Sequence, residues 1–330
     1  MPEGHSVHRI ARQFRLHFVG NRVAVSSPQG RFVAGAAQLD GHTIVGATAV
    51  GKQMFLEFEH GLWLRVHLGM YGAWDFAGEI TADATIASAN GRIGQTNQRG
   101  TTNQRGTVVS DDAEASNASI GAPRKTRLRI AEGESLGAAL DSFPPEPIGQ
   151  VRVRLLTDTT VADLRGPTAC EVLTADEVAA VLAKLGPDPL VDDAQVGEQR
   201  FADAVRSKQT PIGLLLMDQS VVAGIGNVYR AELLFRARLD PHTPGRLVDE
   251  QTLRALWRDW SMLLGRGVEL GQMMTMDDLQ PDDYSRALAS RADRHWVYHR
   301  AGELCRVCGT PIVVELAAGR KLYYCPIDQV

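Results

Sequence analysis

The sequence predicts an α+β protein: a β-rich N-terminal part, a helical C-terminal part and a small cysteine-bearing hairpin at the end. Three observations carry that reading. Apolar and polar residues alternate in the stretch that follows Gly51, the periodicity changes to three- and four-residue steps from Thr174 onward, and Cys305, Cys308 and Cys325 cluster near the C-terminus.

In chain order, Val7, Ile10, Ala11, Phe14 and Phe18 predict an amphipathic helix over residues 3–18, beginning almost at the N-terminus. Residues 45–59 and 61–74 read as a hairpin with one buried face, turning at Glu59, His60 and Gly61. Between Gly78 and Pro123 the composition falls to Ala, Thr, Ser, Asn, Gln and Gly, with Thr-Asn-Gln-Arg-Gly-Thr repeated in tandem over 96–107. This segment, 78–123, is expected to be a disordered insertion without chemistry. The β domain then resumes at residues 127–130 and 151–156. Thr174 reads as the N-cap of a helix that stops at Gly186, which places the boundary between the β-rich and helical parts between Glu171 and Pro189.

The chain has 330 residues, of which 44% are hydrophobic and 22% charged, enough for one large or two medium domains; collagen, a disulfide miniprotein and wholesale disorder are excluded. A formal net charge of −4 offers no global basic field, so a polyanion site has to be built locally. Such local fields exist. Residues 1–30 hold four arginines (9, 12, 15, 22) against Glu3, and 200–246 hold seven basic residues against four acids. Residues 132–198 carry thirteen carboxylates against four basic residues, leaving basic ends and an acidic middle. The first thirty residues lack a signal-type apolar core, and no stretch approaches the run of about 18 apolar residues of a transmembrane helix, so a cytoplasmic protein with no membrane partner is expected. Cys170, alone in sequence, reads as a buried structural thiol.

Three segments could carry chemistry. The opening Met1-Pro2-Glu3-Gly4 is the first. Removal of Met1 would leave Pro2 as a secondary amine with an α-amino pKa of roughly 7.7–8.0, a neutral nucleophile able to form an iminium with an aldehyde-like carbon. Glu3 beside it suits proton transfer in glycosidic bond cleavage. The second is residues 205–241, where an apolar helix with Pro211 near its start runs into a Gly224/Gly226 turn. A further helix, starting at about Asn227, carries Arg230, Arg236 and Arg238. Glycines permit close backbone approach, and helix N-terminal amides favour an anion such as a phosphate, with Asn227 and Lys208 placed to add side-chain donors. The alternative is a plain αα-hairpin with a glycine turn. Third, Cys305-x-x-Cys308 and Cys325-x-x-Asp328 have zinc-ribbon spacing with an aspartate where a fourth cysteine is expected. His295 and His299 are possible substitute ligands, and Arg306, Arg320 and Lys321 on the hairpin suit phosphate contact.

In this order, the pieces resemble the formamidopyrimidine-DNA glycosylase/endonuclease VIII family of base-excision repair enzymes, over nearly the whole chain outside 78–123. The resemblance implies an N-terminal two-layer β-sandwich with flanking helices, then a helical domain with a helix-two-turn-helix motif and a zinc-ribbon β-hairpin. The corresponding boundaries are 1–170 for the catalytic domain, 171–290 for the helical DNA-binding domain and 291–330 for the zinc hairpin. It implies Pro2 as the nucleophile at C1′ of the damaged nucleotide, Glu3 as general acid/base, and Lys52 supporting catalysis through a phosphate. Lys208, Asn227 and Arg320 would hold the DNA backbone. Met70 and Tyr71, in His67-Leu-Gly-Met-Tyr-Gly, would be the wedge filling the gap of a flipped base, where their bland reading is core packing at a strand end. Cys305, Cys308, Cys325 and Asp328 would hold one structural Zn²⁺, less tightly than four cysteines and on a hairpin prone to fray.

The adjacent Met70 and Tyr71, together with Pro-Glu-Gly-His-Ser-Val-His-Arg, Ser-Ser-Pro-Gln-Gly-Arg-Phe, Leu-Arg-Gly-Pro-Thr-Ala-Cys-Glu and Leu-Gly-Pro-Asp-Pro-Leu, are similar to actinobacterial endonuclease VIII proteins. Oxidised pyrimidines are the implied substrates, with β,δ-elimination after a Pro2 Schiff base. The expected partner is damaged double-stranded DNA, bound by a monomer associated with the nucleoid. Rival readings are a catalytically silent binder of abasic or distorted DNA and an unrelated zinc-hairpin interaction protein.

Overall fold

The computed structural model describes residues 2–80, 96–99, 116–121, 143–290 and 293–330. The chain divides into two compact units, Met1–Pro2 with Ser6–Leu182, and Glu3–His5 with Ala183–Val330.

The first unit contains most of α1 (Gly4–His17), then β1 (Arg22–Ser26), α2 (Val33–Leu39), β2 (His42–Val50), β3 (Gln53–Phe58), β4 (Leu62–His67), β5 (Ala73–Gly78), β6 (Thr96–Arg99), β7 (Ser116–Gly121), β8 (Val151–Leu156), β9 (Thr160–Arg165), β10 (Ala169–Thr174) and α3 (Ala175–Leu182). It is an antiparallel β-sandwich. Strands β10-β4-β3-β2 form one layer and β1-β8-β9-β5-β7-β6 the other, with β1 and β2 paired at Arg22↔Thr43 and Val23↔His42. The alternation that predicted strands fills the space between them: Leu56, Phe58, Leu64 and Val66 from one layer, and Val153, Leu155, Trp74 and Phe76 from the other, are buried. The predicted helix supplies Phe14 and Phe18, and Phe14 stands edge-on to Trp74 and Phe76 at centroid distances of 4.8 and 5.3 Å. Asp75 and Asp163 are opposite each other across β5 and β9. Arg165 and Arg154 pair with them in turn, the latter bidentately at 2.7 Å, which removes a like-charge clash from the register.

Two expectations change. Each stretch read as a hairpin arm contains its own turn, the first at Gly51 (φ +58°) and Lys52 and the second over residues 68–72, so four strands replace two, and Lys52 sits at a tight β2–β3 turn. The segment read as a structureless insertion contains β6 and β7; β7 pairs with β5 along its length, and Ile120, opposite Trp74, is fully buried. One apolar residue facing a deep aromatic core can anchor a strand that composition alone marks as disordered. The rest of 81–142, including the strand expected at 127–130, lies outside the described residues. Thr174 does start α3: its amide donates to Glu177 at 2.8 Å and its hydroxyl accepts from Glu177 N at 3.4 Å, a reciprocal cap.

The second unit contains α4 (Ala194–Arg206), α5 (Ile212–Leu215), α6 (Asn227–Arg236), α7 (Glu250–Leu270), α8 (Pro281–Ala289), β11 (Val313–Ala317) and β12 (Arg320–Tyr324). Asp193 and Asp249 cap α4 and α7, and Gly271 ends α7 in the left-handed conformation. Helix α7 buries Leu253, Leu256, Trp257, Trp260, Leu263 and Leu264, each contributing on the order of 2 kcal/mol by burial. Helix α6 is the axis of this unit. Every residue from Asn227 to Phe235 is buried.

The burial of α6 takes Arg230 and Arg236 out of the local basic field counted over residues 200–246. Arg230 is 0% exposed, and Arg236 is tied bidentately to Asp259 at 2.7 and 2.6 Å and to Asp277 at 2.5 Å. These cations serve the interior.

Candidate active site and metal centre

The second unit places Glu3 at the start of α6. Its carboxylate is fully buried and accepts three backbone amides: Oε2 from Gly226 at 2.9 Å and Tyr229 at 3.3 Å, Oε1 from Val228 at 2.8 Å. Gly4 N donates to Gly224 O at 2.9 Å, so backbone and side chain of the N-terminal segment are both pinned to the glycine turn. The glycines are needed for this approach: a Cβ on Gly226 would lie 2.3 Å from Glu3 Cδ, and one on Gly4 would lie 2.9 Å from Gly224 Cα. The helix N-terminus therefore does bind an anion, but the anion is the chain's own carboxylate rather than an external phosphate. Pro2, the residue before Glu3, is buried. His5 stands edge-on to Tyr229 at 5.6 Å, and burial, then the Glu3 charge, pushes the Tyr229 hydroxyl well above its usual pKa.

In the first unit, Lys52 at the β2–β3 turn is close enough to His67 to act on its titration. Burial, then the Lys52 and Arg65 charges, lowers the His67 pKa. His67 ends β4 and begins the loop bearing Met70 and Tyr71, which are 53% and 61% exposed. The core-packing alternative for this pair is thereby overturned. Gly69 holds a positive φ of 64° where a Cβ would collide with Thr168 Oγ1 at 1.9 Å, and Gly72 N donates to Leu68 O at 3.0 Å, which sets the tight turn that presents the two side chains.

Asn227 and Arg230 converge on one carbonyl of the terminal hairpin, that of Lys321, the residue after Arg320. Asn227 Nδ2 donates to Lys321 O at 2.8 Å, and Asn227 Oδ1 accepts from Arg230, which also donates to Lys321 O at 3.0 Å and Gly213 O at 3.3 Å. Arg320, exposed at the first position of β12, follows a turn with positive φ at Ala318 and Gly319. Burial and then the Arg320 charge lower the Arg230 pKa to about 10, which places Arg320 nearby. Lys208 lies beyond α4, with backbone hydrogen bonds to Val205 and Arg246.

Ligand atoms of Cys305, Cys308, Cys325 and Asp328 all lie within 4.8 Å of one another. Cys305 Sγ is 3.0 Å from Asp328 Oδ2, and Cys308 Sγ is 3.4 Å from Cys325 Sγ. Zn²⁺ with sulfur and oxygen ligands at about 2.0–2.3 Å requires separations of this order, so the donor set fits a tetrahedral site. Burial, then Asp328, pushes the Cys305 thiol up to about 12, a preference that a divalent cation would reverse. His295 and His299 are outside this group: His295 is buried edge-on to Tyr298, and His299 stacks on Tyr323. The hairpin end is tied to the rest of the second unit by side-chain hydrogen bonds. Gln329 accepts from Cys325 N at 2.9 Å and donates to Leu239 O at 3.1 Å, which docks the residues around Asp328 onto the end of α6.

Sequence reasoning passed over Glu232, which is fully buried. Its oxygens accept from Trp296, Val297 and Tyr298 amides at 2.7–2.9 Å and from the Thr275 hydroxyl at 2.5 Å, fixing the segment that leads to the metal hairpin. Burial raises its pKa against those hydrogen bonds. A lone carboxylate inside the apolar run Ala231-Glu232-Leu233-Leu234-Phe235 was the available signal.

Two family models match the chain: the formamidopyrimidine-DNA glycosylase N-terminal domain over residues 1–118 and the formamidopyrimidine-DNA glycosylase H2TH domain over 185–278. The endonuclease 8 1 of Mycobacterium tuberculosis is 37% identical over 329 residues, covering 100% of both chains. A formamidopyrimidine-DNA glycosylase of Thermus thermophilus is 37% identical over 151 residues, 45% of this chain and 55% of the relative. Among solved structures, Lactococcus lactis formamidopyrimidine-DNA glycosylase bound to DNA containing an abasic site aligns with a TM-score of 0.64 at 20% identity, covering 99% of each chain, a likeness of fold. This chain belongs to the formamidopyrimidine-DNA glycosylase/endonuclease VIII family.

Proposed function

We propose that this protein is a DNA glycosylase and AP lyase of base-excision repair, acting on damaged double-stranded DNA through Pro2 and preferring oxidised pyrimidines. The observation that carries the reading is the Glu3 carboxylate held by three amides at the start of α6, from Gly226, Val228 and Tyr229, which builds the residue next to Pro2 into the protein interior. A binding module gains nothing from so defined an N-terminal segment. In the proposed reaction, the secondary amine exposed by removal of Met1 attacks C1′, the N-glycosidic bond breaks, and the base leaves. Glu3 takes up the proton that the Pro2 nitrogen gives up on bonding to C1′ and delivers it to the ring oxygen as the sugar opens, giving an iminium whose electron sink, with loss of a C2′ proton, drives departure of the 3′ and then the 5′ phosphate. Lys52 assists through a phosphate.

In this reading Arg320, Lys208 and the second amide hydrogen of Asn227 hold the DNA backbone, while Met70 and Tyr71 occupy the space vacated by the flipped nucleotide. Cys305, Cys308, Cys325 and Asp328 hold a structural Zn²⁺, which stiffens the hairpin and takes no part in bond breaking. The support for pyrimidine substrates is the exposed Met70-Tyr71 pair and the full-length similarity to an endonuclease 8. The domain boundaries 1–170, 171–290 and 291–330 belong to the same reading, as does a monomeric state.

The test is borohydride trapping on a duplex carrying an abasic site or 5-hydroxyuracil, with Pro2→Ala alongside. A covalent adduct lost in Pro2→Ala is expected. DNA binding without an adduct would move the protein to the class of silent lesion binders, and binding that does not weaken with salt would remove DNA as the partner.

A further inference from the structure

We infer that Arg230 is a positioning residue for DNA backbone contact: it acts through Asn227 and the Lys321 carbonyl to hold the Arg320 turn, itself touching no substrate. The inference rests on the proposed function for its substrate and on the second unit for its geometry. Arg230 is 0% exposed, so a phosphate cannot reach it without rearrangement. Its guanidinium donates to Gly213 O on α5, to Asn227 Oδ1 at the start of α6 and to Lys321 O on β12, joining three separate segments at one planar group. Asn227 Nδ2 donates to the same Lys321 oxygen, so that carbonyl receives two converging donors. Lys321 is the residue after Arg320, and β12 pairs with β11 immediately beside the turn, Arg320 with Ala317 and Lys321 with Leu316.

A buried cation is costly, and an aliphatic side chain would fill the space at lower cost if filling were all that was required. Among the described residues the hydrogen-bond partners of the Arg230 guanidinium include no carboxylate, and its Nε has no hydrogen-bond partner. Its partners are backbone carbonyls and one amide, groups that define direction better than they compensate charge. Asn227 is itself oriented by the bond from Arg230, which fixes its Oδ1 as acceptor and turns its Nδ2 toward Lys321. The two residues proposed to hold DNA from α6 and from the hairpin therefore share one organiser.

The zinc-loaded protein would be compared with Arg230→Met, Arg230→Lys, Arg320→Ala and the Arg230→Met/Arg320→Ala double variant. Hydrogen exchange over 313–324 should quicken in Arg230→Met, and affinity for an abasic-site duplex should fall roughly tenfold, with the trapping rate at saturating protein unchanged. Arg230→Lys, which keeps charge without the planar fork, should fall between. The decisive arm is the double variant. Dependence through Arg320 predicts a loss smaller than the sum of the single losses, and strict additivity would overturn the proposal. Unchanged hairpin exchange in both Arg230 variants would also overturn it. If the wild-type protein binds no duplex, the functional reading fails, while the exchange arm still decides whether Arg230 orders the hairpin; should Arg230→Met not fold, Arg230→Lys carries the same measurements.

Discussion

Gly226→Ala isolates the role of the Glu3 anchor. Gly226 has φ −118° and ψ −160°, an extended conformation that alanine adopts without strain, so the substitution acts by volume alone. The added Cβ would lie 2.3 Å from Glu3 Cδ and 2.6 Å from Cγ and Oε1, whereas Cβ contacts below 3.0 Å essentially never occur. Relief requires about 0.7 Å of movement, the difference between those distances. Such a shift away from α6 stretches the 2.9 Å bond from Gly226 N and the 3.3 Å bond from Tyr229 N beyond hydrogen-bonding range. Hydrogen bonds to a buried charged group are worth about 1.5–3 kcal/mol each, so the loss of one to two of the three predicts a destabilisation of about 2–5 kcal/mol. Misplacing a catalytic group by an ångström costs on the order of a hundredfold in rate. The assay is single-turnover borohydride trapping at saturating protein, with thermal unfolding in parallel. A trapping rate within twofold of wild type at an unchanged melting temperature would refute the reasoning.

Three further outcomes are expected. His242 bridges Asp240 and Glu315 at 2.7 Å on each ring nitrogen; burial opposes its charge, but the two carboxylates outweigh it and raise the pKa above 6.5. Its contribution to hairpin docking is therefore full below pH 6.5 and fades as pH rises through the raised value, so His242→Gln should flatten the pH dependence of hairpin exchange between pH 6 and 8, and identical profiles would count against this. Asp328→Cys should slow zinc loss to a chelator severalfold, because a fourth thiolate replaces a harder oxygen donor; equal release rates would show that the carboxylate holds zinc as well as sulfur does. Met70→Ala with Tyr71→Ala should leave melting temperature unchanged, since both side chains are exposed, yet lower excision of a lesion from duplex far more than cleavage of a single-stranded abasic site; parallel losses would remove the wedge role.

Local spacing was enough for what is local. The three- and four-residue steps of Val7, Ile10, Ala11 and Phe14 put one face of α1 in the core, because a helix repeats every 3.6 residues whatever it packs against. Thr174 and Glu177 cap α3 because a three-residue offset closes that ring on its own. Likewise two Cys-x-x pairs curl their donors inward, and Asp328 joins three thiols where a cysteine was expected.

What the sequence left open were partners distant along the chain. Gly224-Ile-Gly226 reads equally well as a cradle for a phosphate and as a seat for a carboxylate, since helix N-terminal amides favour any anion. The tertiary structure chose Glu3, 223 residues away from Gly226. Arg230 and Arg236 counted as surface charge in a linear tally, but α6 lies at the centre of its unit and turns them to carbonyls and half-buried carboxylates. Ile120, in a segment whose composition signals disorder, is buried because β7 finds β5 and Trp74. Composition and periodicity report how a residue relates to its near neighbours, and the identity of a buried group's counterpart is decided when distant segments are desolvated together.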